Sequence, residues 1–288
     1  MSVIERLGES DDIRRFCAEI IPVPSPFDET MINEAVFGLS RLREVLKSRA
    51  DRAPRVLEVG AGHLILSSYL ACRGFEVTAV EPLTDGFESF SELHTRMLYH
   101  AKAAGAQLTV MQCASDALDA HDAFDVVICV NALEHMKDPM GALDVMHRAV
   151  RPGGVVLAHC PNYDVPFDSH LGIVLITLSK RVNEWLYRDR IARRQDCWDG
   201  LTFVRQSALR RHCATRGYDV AFNSRMLEQA VLRVSEDSVF AARMPLPLRV
   251  AVRLLGRPRV AAALSYVPLR FQTPMEFVLS KSRPRSIE

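Results

Sequence analysis

The chain is short of net charge. Its 36 lysines and arginines stand against 35 acids, a formal balance of +1 over 288 residues. No global field therefore advertises a nucleic-acid partner. Aromatic residues are sparse at 7%, yet 48% of the chain is hydrophobic, ample for a buried core and far from a disordered composition. No stretch reaches the roughly 18 uninterrupted apolar residues that a membrane-spanning helix needs. The seven cysteines form no CxxC pair and no framework, which reads as reduced thiols. The nine histidines form no HxH or HExxH set, so no metal is expected. The amino terminus, "MSVIERLGESDDIRRF", is too charged for a signal peptide. Together these absences place the chain in the cytoplasm, with one large domain or one domain carrying a subdomain.

What is present is alternation. Residues 1–52 carry helical periodicity, notably "MINEAVFGLSRLREVLKSR", after a proline-rich break, "IPVPSPFDE". From Arg55 onward, short apolar runs alternate with helical patterns. The runs are "RVLEVG", "FEVTAVE", "QLTVMQC", "FDVVICV" and "GVVLAHC". Continuous apolar character suits parallel strands covered on both faces. Helices are expected near 63–73, 86–104 and 138–150, the last closed by "RPGG" as a stop before the next strand. Such alternation predicts an α/β fold with a doubly wound, mostly parallel sheet. After "AHCPNYDVPFDSHLG" the regularity fails until a helix near 206–216 and a short strand, "YDVAFN". An insert of about 224–272 then precedes a last strand, "MEFVLSK", and a tail, "SRPRSIE". The expected organisation is a helical cap (1–52), a core (53–222) that includes a substrate loop region (161–205), a helical lid (223–272), and a final strand with tail (273–288).

The stretch from Arg55 to Pro82 carries the first chemical signal. Gly60 and Gly62 fall where the first strand turns into its helix. Residues without Cβ there can take positive φ and let a ligand approach the main chain. The following helix directs free amide groups at the same spot. About twenty residues on, Glu81 ends the second strand, placed to accept hydrogen bonds from the two hydroxyls of a ribose. Any tight turn favours glycine, and a lone acid at a strand end is ordinarily just solvated. The combination on consecutive strands indicates a nucleoside ligand.

The segments "LEVGAGHLIL", "VEP", "FDVVICVNALEHMKDP" and "RAVRPGGVVLAHCPN" resemble class I S-adenosylmethionine-dependent methyltransferases, above all the broad type 11/12 small-molecule group. The likeness covers roughly 55–162, with a looser echo in "GLTFVRQSALRRHCATRGYDV". It implies a Rossmann-like seven-stranded sheet and S-adenosyl-L-methionine as cofactor, with S-adenosyl-L-homocysteine as product. On this resemblance Glu58, Gly60, Ala61 and Gly62 hold the methionine part of the cofactor. Glu81, with Pro82 beside it, grips the ribose, and Ser115 and Asp116 frame the adenine. Asn131 and Ala132 meet the methionine ammonium. One departure is Leu64, where the family often has a third glycine, which implies closer apolar packing of the first helix. Dinucleotide binding would need G-x-G-x-x-G, and Ile65 stands at its last glycine position.

Methyl transfer from a sulfonium is an in-line displacement, so the protein mainly has to align the acceptor. A general base adds about 10²–10⁴-fold where the acceptor must lose a proton. Candidates are His135, just past strand four, and Asp168 with His170, an acid–histidine pair whose imidazole would titrate near neutral pH. Tyr163 and His170 are also candidate substrate contacts. Each has a plainer alternative, a packed histidine for His135 and a lid that merely positions substrate for the 161–170 loop. His159 reads as a satisfied core residue. "PNYD" (161–164) follows strand five, whereas the N-P-P-Y motif of N-methyltransferases follows strand four, so the likeness is coincidental.

The insert "RMPLPLRVAVRLLGRPRVAAALSYVPLRF" mixes apolar residues with Arg249, Arg253, Arg257 and Arg259. A basic amphipathic segment over 244–271 either lies on an anionic membrane surface or is a lid helix with solvated arginines. The cluster "YRDRIARRQDCW" (187–198) is either a phosphate contact or an ordinary helix surface. The expected function is methylation of a small-molecule or lipid-linked hydroxyl. Two other readings stand beside it: an RNA- or protein-modifying methyltransferase, and a non-catalytic cofactor-binding relative.

Overall fold

A computed structural model describes residues 2–47, 53–82, 88–236 and 258–282, with isolated positions between 241 and 256. Seven strands form one sheet. They are β1 (Arg55–Val59), β2 (Glu76–Val80), β3 (Leu108–Met111), β4 (Phe124–Val130), β5 (Val150–Cys160), β8 (Asp219–Phe222) and β9 (Met275–Ser280), ordered β3-β2-β1-β4-β5-β9-β8. β1 pairs in parallel with β2 and β4, and β2 pairs in parallel with β3. The order reverses direction beside β1, and the carboxyl ends of strands at such a switch point are where open α/β sheets bind ligands. The mostly parallel α/β sheet expected from the sequence is therefore present.

By packing, the chain divides into two units. The first comprises Met1–Val130, Gly141–Ala158 and Leu279–Glu288; the second comprises Asn131–Met140 and His159–Val278. In the first unit the amino-terminal helices are α1 (Val3–Leu7), α2 (Ser10–Ile20) and α3 (Pro26–Leu46). α3 begins at Pro26, inside the expected break. Ser25 accepts from the Asp28 amide, Asp28 reaches back to the Ser25 amide, and proline suits the first helical position because no partner exists there for its missing N–H. A Cβ on Gly38 would sit 3.0 Å from Leu66 Cδ2, so glycine lets α3 pack closely on α4 (Ile65–Cys72). The Tyr69 hydroxyl donates to the Leu7 carbonyl at 2.8 Å, tying α1 to α4. Two further helices belong to this unit in whole or in large part, α5 (Glu88–Ala103) and α6 (Pro139–Ala149).

The structure revises one expected boundary. "RPGG" is not a stop between helix and strand. β5 starts at Val150 and runs through it. Gly153, at φ 83°, donates its amide to the Lys281 carbonyl, and Lys281 returns its amide to Gly154. Glycine here permits the backbone geometry of a paired strand end.

The second unit contains what looked irregular in sequence. β6 (Phe167–Asp168) and β7 (Ile173–Val174) form an antiparallel pair. α7 (Lys180–Leu186), α8 (Arg188–Ala192) and α9 (Gln195–Gly200) follow, then α10 (Gln206–Arg216), α11 (Met226–Glu236) and α12 (Pro258–Ala263). Their core comprises Tyr163, Ile173, Leu175, Ile191, Trp198 and Leu201. Trp198 is fully buried, and its indole donates to Glu184 at 2.8 Å. Arg190 and Arg194 hold the Gly172 and His170 carbonyls at 3.0 and 3.2 Å, so this cluster binds its own loop as well as facing solvent. "PNYD" acquires a structural role. Buried Asn162 donates to the Gln272 carbonyl and accepts from the Gln206 amide, while Asp164 accepts from the Ser207 amide at the start of α10. The 244–271 segment lies in good part outside the described residues, including Arg253, Arg257 and the Arg259 side chain. Among the described residues no helix is long and apolar enough to cross a membrane.

Candidate functional site

In the first unit the turn after β1 is built by positive φ. Gly60 sits at 76°, Gly62 at 49° and Leu64 at 61°. The Gly60 and Ala61 amides donate to the Val80 carbonyl at 2.8 and 3.2 Å, which docks the turn on the end of β2. Glu81 Oε2 then accepts the Gly62 amide at 2.8 Å. The two features separated by twenty residues are thus one object, a carboxylate clamped to the glycine turn. One oxygen of Glu81 is so engaged and the other keeps its full capacity to accept. Burial pushes the Glu81 carboxyl above its ordinary range, with the Gly62 amide opposing. Exposed Pro82 follows it.

Glu58, on β1, accepts the Ser67 hydroxyl from α4. Burial lifts its pKa to about 7, against the Ser67 hydrogen bond and with the nearby Glu81 charge adding to the rise. Two acids whose charged forms are strained wait beside a glycine turn, and a ligand that donates hydrogen bonds would relieve both. Leu64 is completely buried, which matches the close apolar packing expected of it, but it holds a left-handed backbone that disfavours a side chain. His94 Nδ1 meets the Gly62 carbonyl at 3.0 Å and buttresses the turn from α5. Nothing local in the sequence marks His94 for this role. Ser115 and Asp116 open a single 3₁₀ turn after β3, with Asp116 exposed.

In the second unit Asn131 takes φ 49°, donates its amide to the His159 carbonyl at 2.9 Å and meets His159 Nδ1 at 3.0 Å. His159 is accordingly a buried, hydrogen-bonded residue. Ala132 caps the 3₁₀ turn Leu133–His135, whose backbone is fixed by Thr202 donating its amide and hydroxyl to the Glu134 carbonyl, each at 2.9 Å.

The loop after β5 brings Asp168 and His170 together, as expected, but adds a member the sequence reading passed over. Asp168 is fully buried. Its Oδ2 accepts the Tyr163 hydroxyl at 2.7 Å and lies 3.2 Å from His170 Nδ1, and its Oδ1 accepts the Leu171 amide at 2.7 Å. Glu134, also fully buried, places Oε1 3.5 Å from His170 Nε2. His135 contributes a ring whose centroid is 5.2 Å from that of His170. Burial opposes an imidazolium at His170, but the Asp168 hydrogen bond and the charges of Glu134 and Asp168 outweigh it and hold its pKa well above 6.5. The imidazole is therefore not tuned near neutrality, because two carboxylates face it rather than one. Tyr163, 2% exposed, stands beneath Asp168 as its support. Glu134 was legible only as the residue before His135; its burial is a tertiary fact.

Comparison with known proteins agrees with this geometry. A family model described as a methyltransferase domain matches residues 27–221. A Mycobacterium tuberculosis protein described as uncharacterized is 30% identical over 258 residues, spanning 87% of this chain and 86% of its own. Ubiquinone biosynthesis O-methyltransferase of Pseudomonas putida is 35% identical over 104 residues, 35% of this chain and 42% of the relative. The solved structure of Haemonchus contortus phosphoethanolamine N-methyltransferase 2 with S-adenosyl-L-methionine has a TM-score of 0.51 at 18% identity. That likeness in fold covers 88% of this chain and about half (53%) of the other. The chain belongs to the class I S-adenosylmethionine-dependent methyltransferases, whose cofactor is S-adenosyl-L-methionine.

Proposed function

We propose that this methyltransferase acts on a hydroxyl of a small or lipid-linked acceptor. The observation that carries the reading is the buried acid–histidine group of Asp168, His170 and Glu134, a concentration of negative charge suited to polarising a hydroxyl and drawing off its proton. When bound, the cofactor supplies an electrophilic methyl on a sulfonium. In the cofactor half, Glu81 accepts from the ribose hydroxyls, the Gly60–Gly62 turn admits the methionine portion to the main chain, and Glu58 accepts beside it. Ser115 and Asp116 complete the proposed cofactor contacts of the first unit. In the acceptor half, Asp168 fixes the His170 ring, and Glu134 and His170 face the hydroxyl. The Glu134 carboxylate would take the proton of the acceptor hydroxyl. With the cofactor bound, the oxygen would then bond to the methyl carbon as the S–CH₃ bond breaks with its electron pair left on sulfur, giving S-adenosyl-L-homocysteine.

A lipid-linked acceptor is supported by apolar residues exposed around β7 and α7. Val174 is 54% exposed, Ile176 62%, Trp185 82% and Leu186 48%. Such a group near one loop suits an acceptor with a hydrocarbon portion, or peripheral contact with a membrane. The O-methyltransferase relative supports oxygen as the atom methylated. The test is incubation with ¹³C-methyl-labelled cofactor and panels of hydroxylated and aminated acceptors, read by mass spectrometry and carbon chemical shift. Label on oxygen supports the proposal. Label only on nitrogen, or only on RNA or protein, overturns it.

A further inference from the structure

We infer that Glu134, His135 and His170 form a binding site for one divalent transition-metal cation. One ligand atom from each, a carboxylate oxygen and two imidazole nitrogens, lies within 4.8 Å of both others. All three come from the second unit, two from the turn after β4 and one from the loop after β5.

The arrangement of protons and lone pairs points to a cation. Asp168 Oδ2 can only accept, so the 3.2 Å contact makes His170 Nδ1 the donor. His170 Nε2 faces Glu134 Oε1 at 3.5 Å. Something positive has to stand between them. A proton on Nε2 makes, at that distance, an ion pair rather than a good hydrogen bond, and it does nothing for Oε2. A metal ion that displaced this proton would use both the nitrogen and the oxygen lone pair. Glu134 is 0% exposed, and among the described residues neither of its carboxylate oxygens has a hydrogen-bond donor. An ionised carboxylate so buried and so poorly satisfied is costly. A cation coordinated by Glu134, with His170 and His135 as neutral ligands, removes that cost.

The surroundings match what metal sites use. A metal-bound histidine commonly donates its other ring nitrogen to a carboxylate, which fixes ring and tautomer; Asp168 does this for His170 and is itself held by Tyr163 and Leu171. The Glu134 backbone is pinned by Thr202. His135 is exposed, so its ring is free to close the last fraction of distance toward the roughly 2.0–2.2 Å ligand bonds of a metal centre. Two imidazoles and one carboxylate, with no thiolate, suit Zn²⁺, Mn²⁺ or Fe²⁺ rather than an all-oxygen Mg²⁺ or Ca²⁺ cage. Three protein ligands also leave coordination positions open.

This deepens the hydroxyl-methylation reading, on which only the role of the metal rests. An acceptor hydroxyl placed on the cation would ionise near neutral pH, releasing its proton to water, and its oxygen would then attack the methyl carbon as above.

The test is calorimetric titration of MnCl₂ and, separately, ZnCl₂ into the chelator-treated full chain. Wild type, Glu134→Gln and His135→Asn are compared, with circular dichroism as a fold control. One equivalent should bind the wild type, and each substitution should weaken binding at least about tenfold. His135 is exposed, so its variant decides the matter if Glu134→Gln does not fold. The inference is overturned if neither cation binds more tightly than about 1 mM, or if His135→Asn binds as the wild type does, which would locate the metal elsewhere. S-adenosylhomocysteine is titrated into the same preparation. Its binding without metal binding defeats this inference alone, whereas metal binding without it defeats the methyltransferase reading alone.

Discussion

Replacing Glu81 by alanine should separate cofactor binding from every other property of the chain. In the structure Glu81 Oε2 accepts the Gly62 amide at 2.8 Å, and the second oxygen is available to a ribose. Loss of one hydrogen bond to a charged acceptor is worth about 1.5–3 kcal/mol. The dissociation constant for S-adenosylhomocysteine should therefore rise roughly 10- to 150-fold. Glu81→Gln keeps an oxygen for the Gly62 amide but forfeits the charge, so its loss should be smaller. Isothermal titration of wild type and both variants supplies the numbers, and thermal melts show whether the turn has come undone. Because burial raises the Glu81 pKa, wild-type affinity should begin to fall at a higher pH than the ordinary carboxylate value of 4.5 would give. A Glu81→Ala dissociation constant within threefold of wild type would refute the assignment of the ribose to this residue.

Three other outcomes follow from the same geometry. Burial raises Glu58 from 4.5 to about 7, so the cofactor-free fold has its full stability from this group below about pH 4.5 and loses it as pH rises through 7. The cost above that range is on the order of 3 kcal/mol, so Glu58→Gln should raise the melting temperature at pH 8 and change it little at pH 5; equal shifts at both would refute the burial argument. Leu64→Ala removes a buried side chain, at about 2–5 kcal/mol, while retaining the left-handed backbone. Leu64→Gly additionally relieves about 1–2 kcal/mol of strain, so denaturant melts should find glycine at least as stable as alanine, and a clearly weaker glycine variant would count against strain at this turn. Asp168→Ala strips acceptors from the Tyr163 hydroxyl and the Leu171 amide and leaves His170 with one carboxylate. A loss of about 3–5 kcal/mol in urea unfolding is expected, and a loss under about 1 kcal/mol would mean the group is not coupled as described.

Local pattern carried the sheet and the glycine turn with the acid that clamps it. The apolar runs gave β1, β2, β3 and β4 to within a residue or two because a strand covered on both faces has no choice but continuous hydrophobicity. Gly60, Gly62 and Glu81 were visible because a backbone turn and the acid that clamps it each demand a residue type at a set spacing. "RPGG" misled because glycine and proline mark a helix stop and a strand bend in the same letters. The 161–205 region looked featureless because its helices are five to seven residues long, too short to display a period.

By itself, then, the sequence determined the α/β alternation, the switch-point turn and the cofactor class, all set by residues close together along the chain or by a fixed strand–helix–strand spacing. Only the tertiary structure decided the acid–histidine group. Glu134 and His170 are 36 positions apart, and neither the burial of the glutamate nor its approach to the imidazole has a local signature. Charges acquire their chemistry from what excludes water around them, and that is a property of packing rather than of order along the chain.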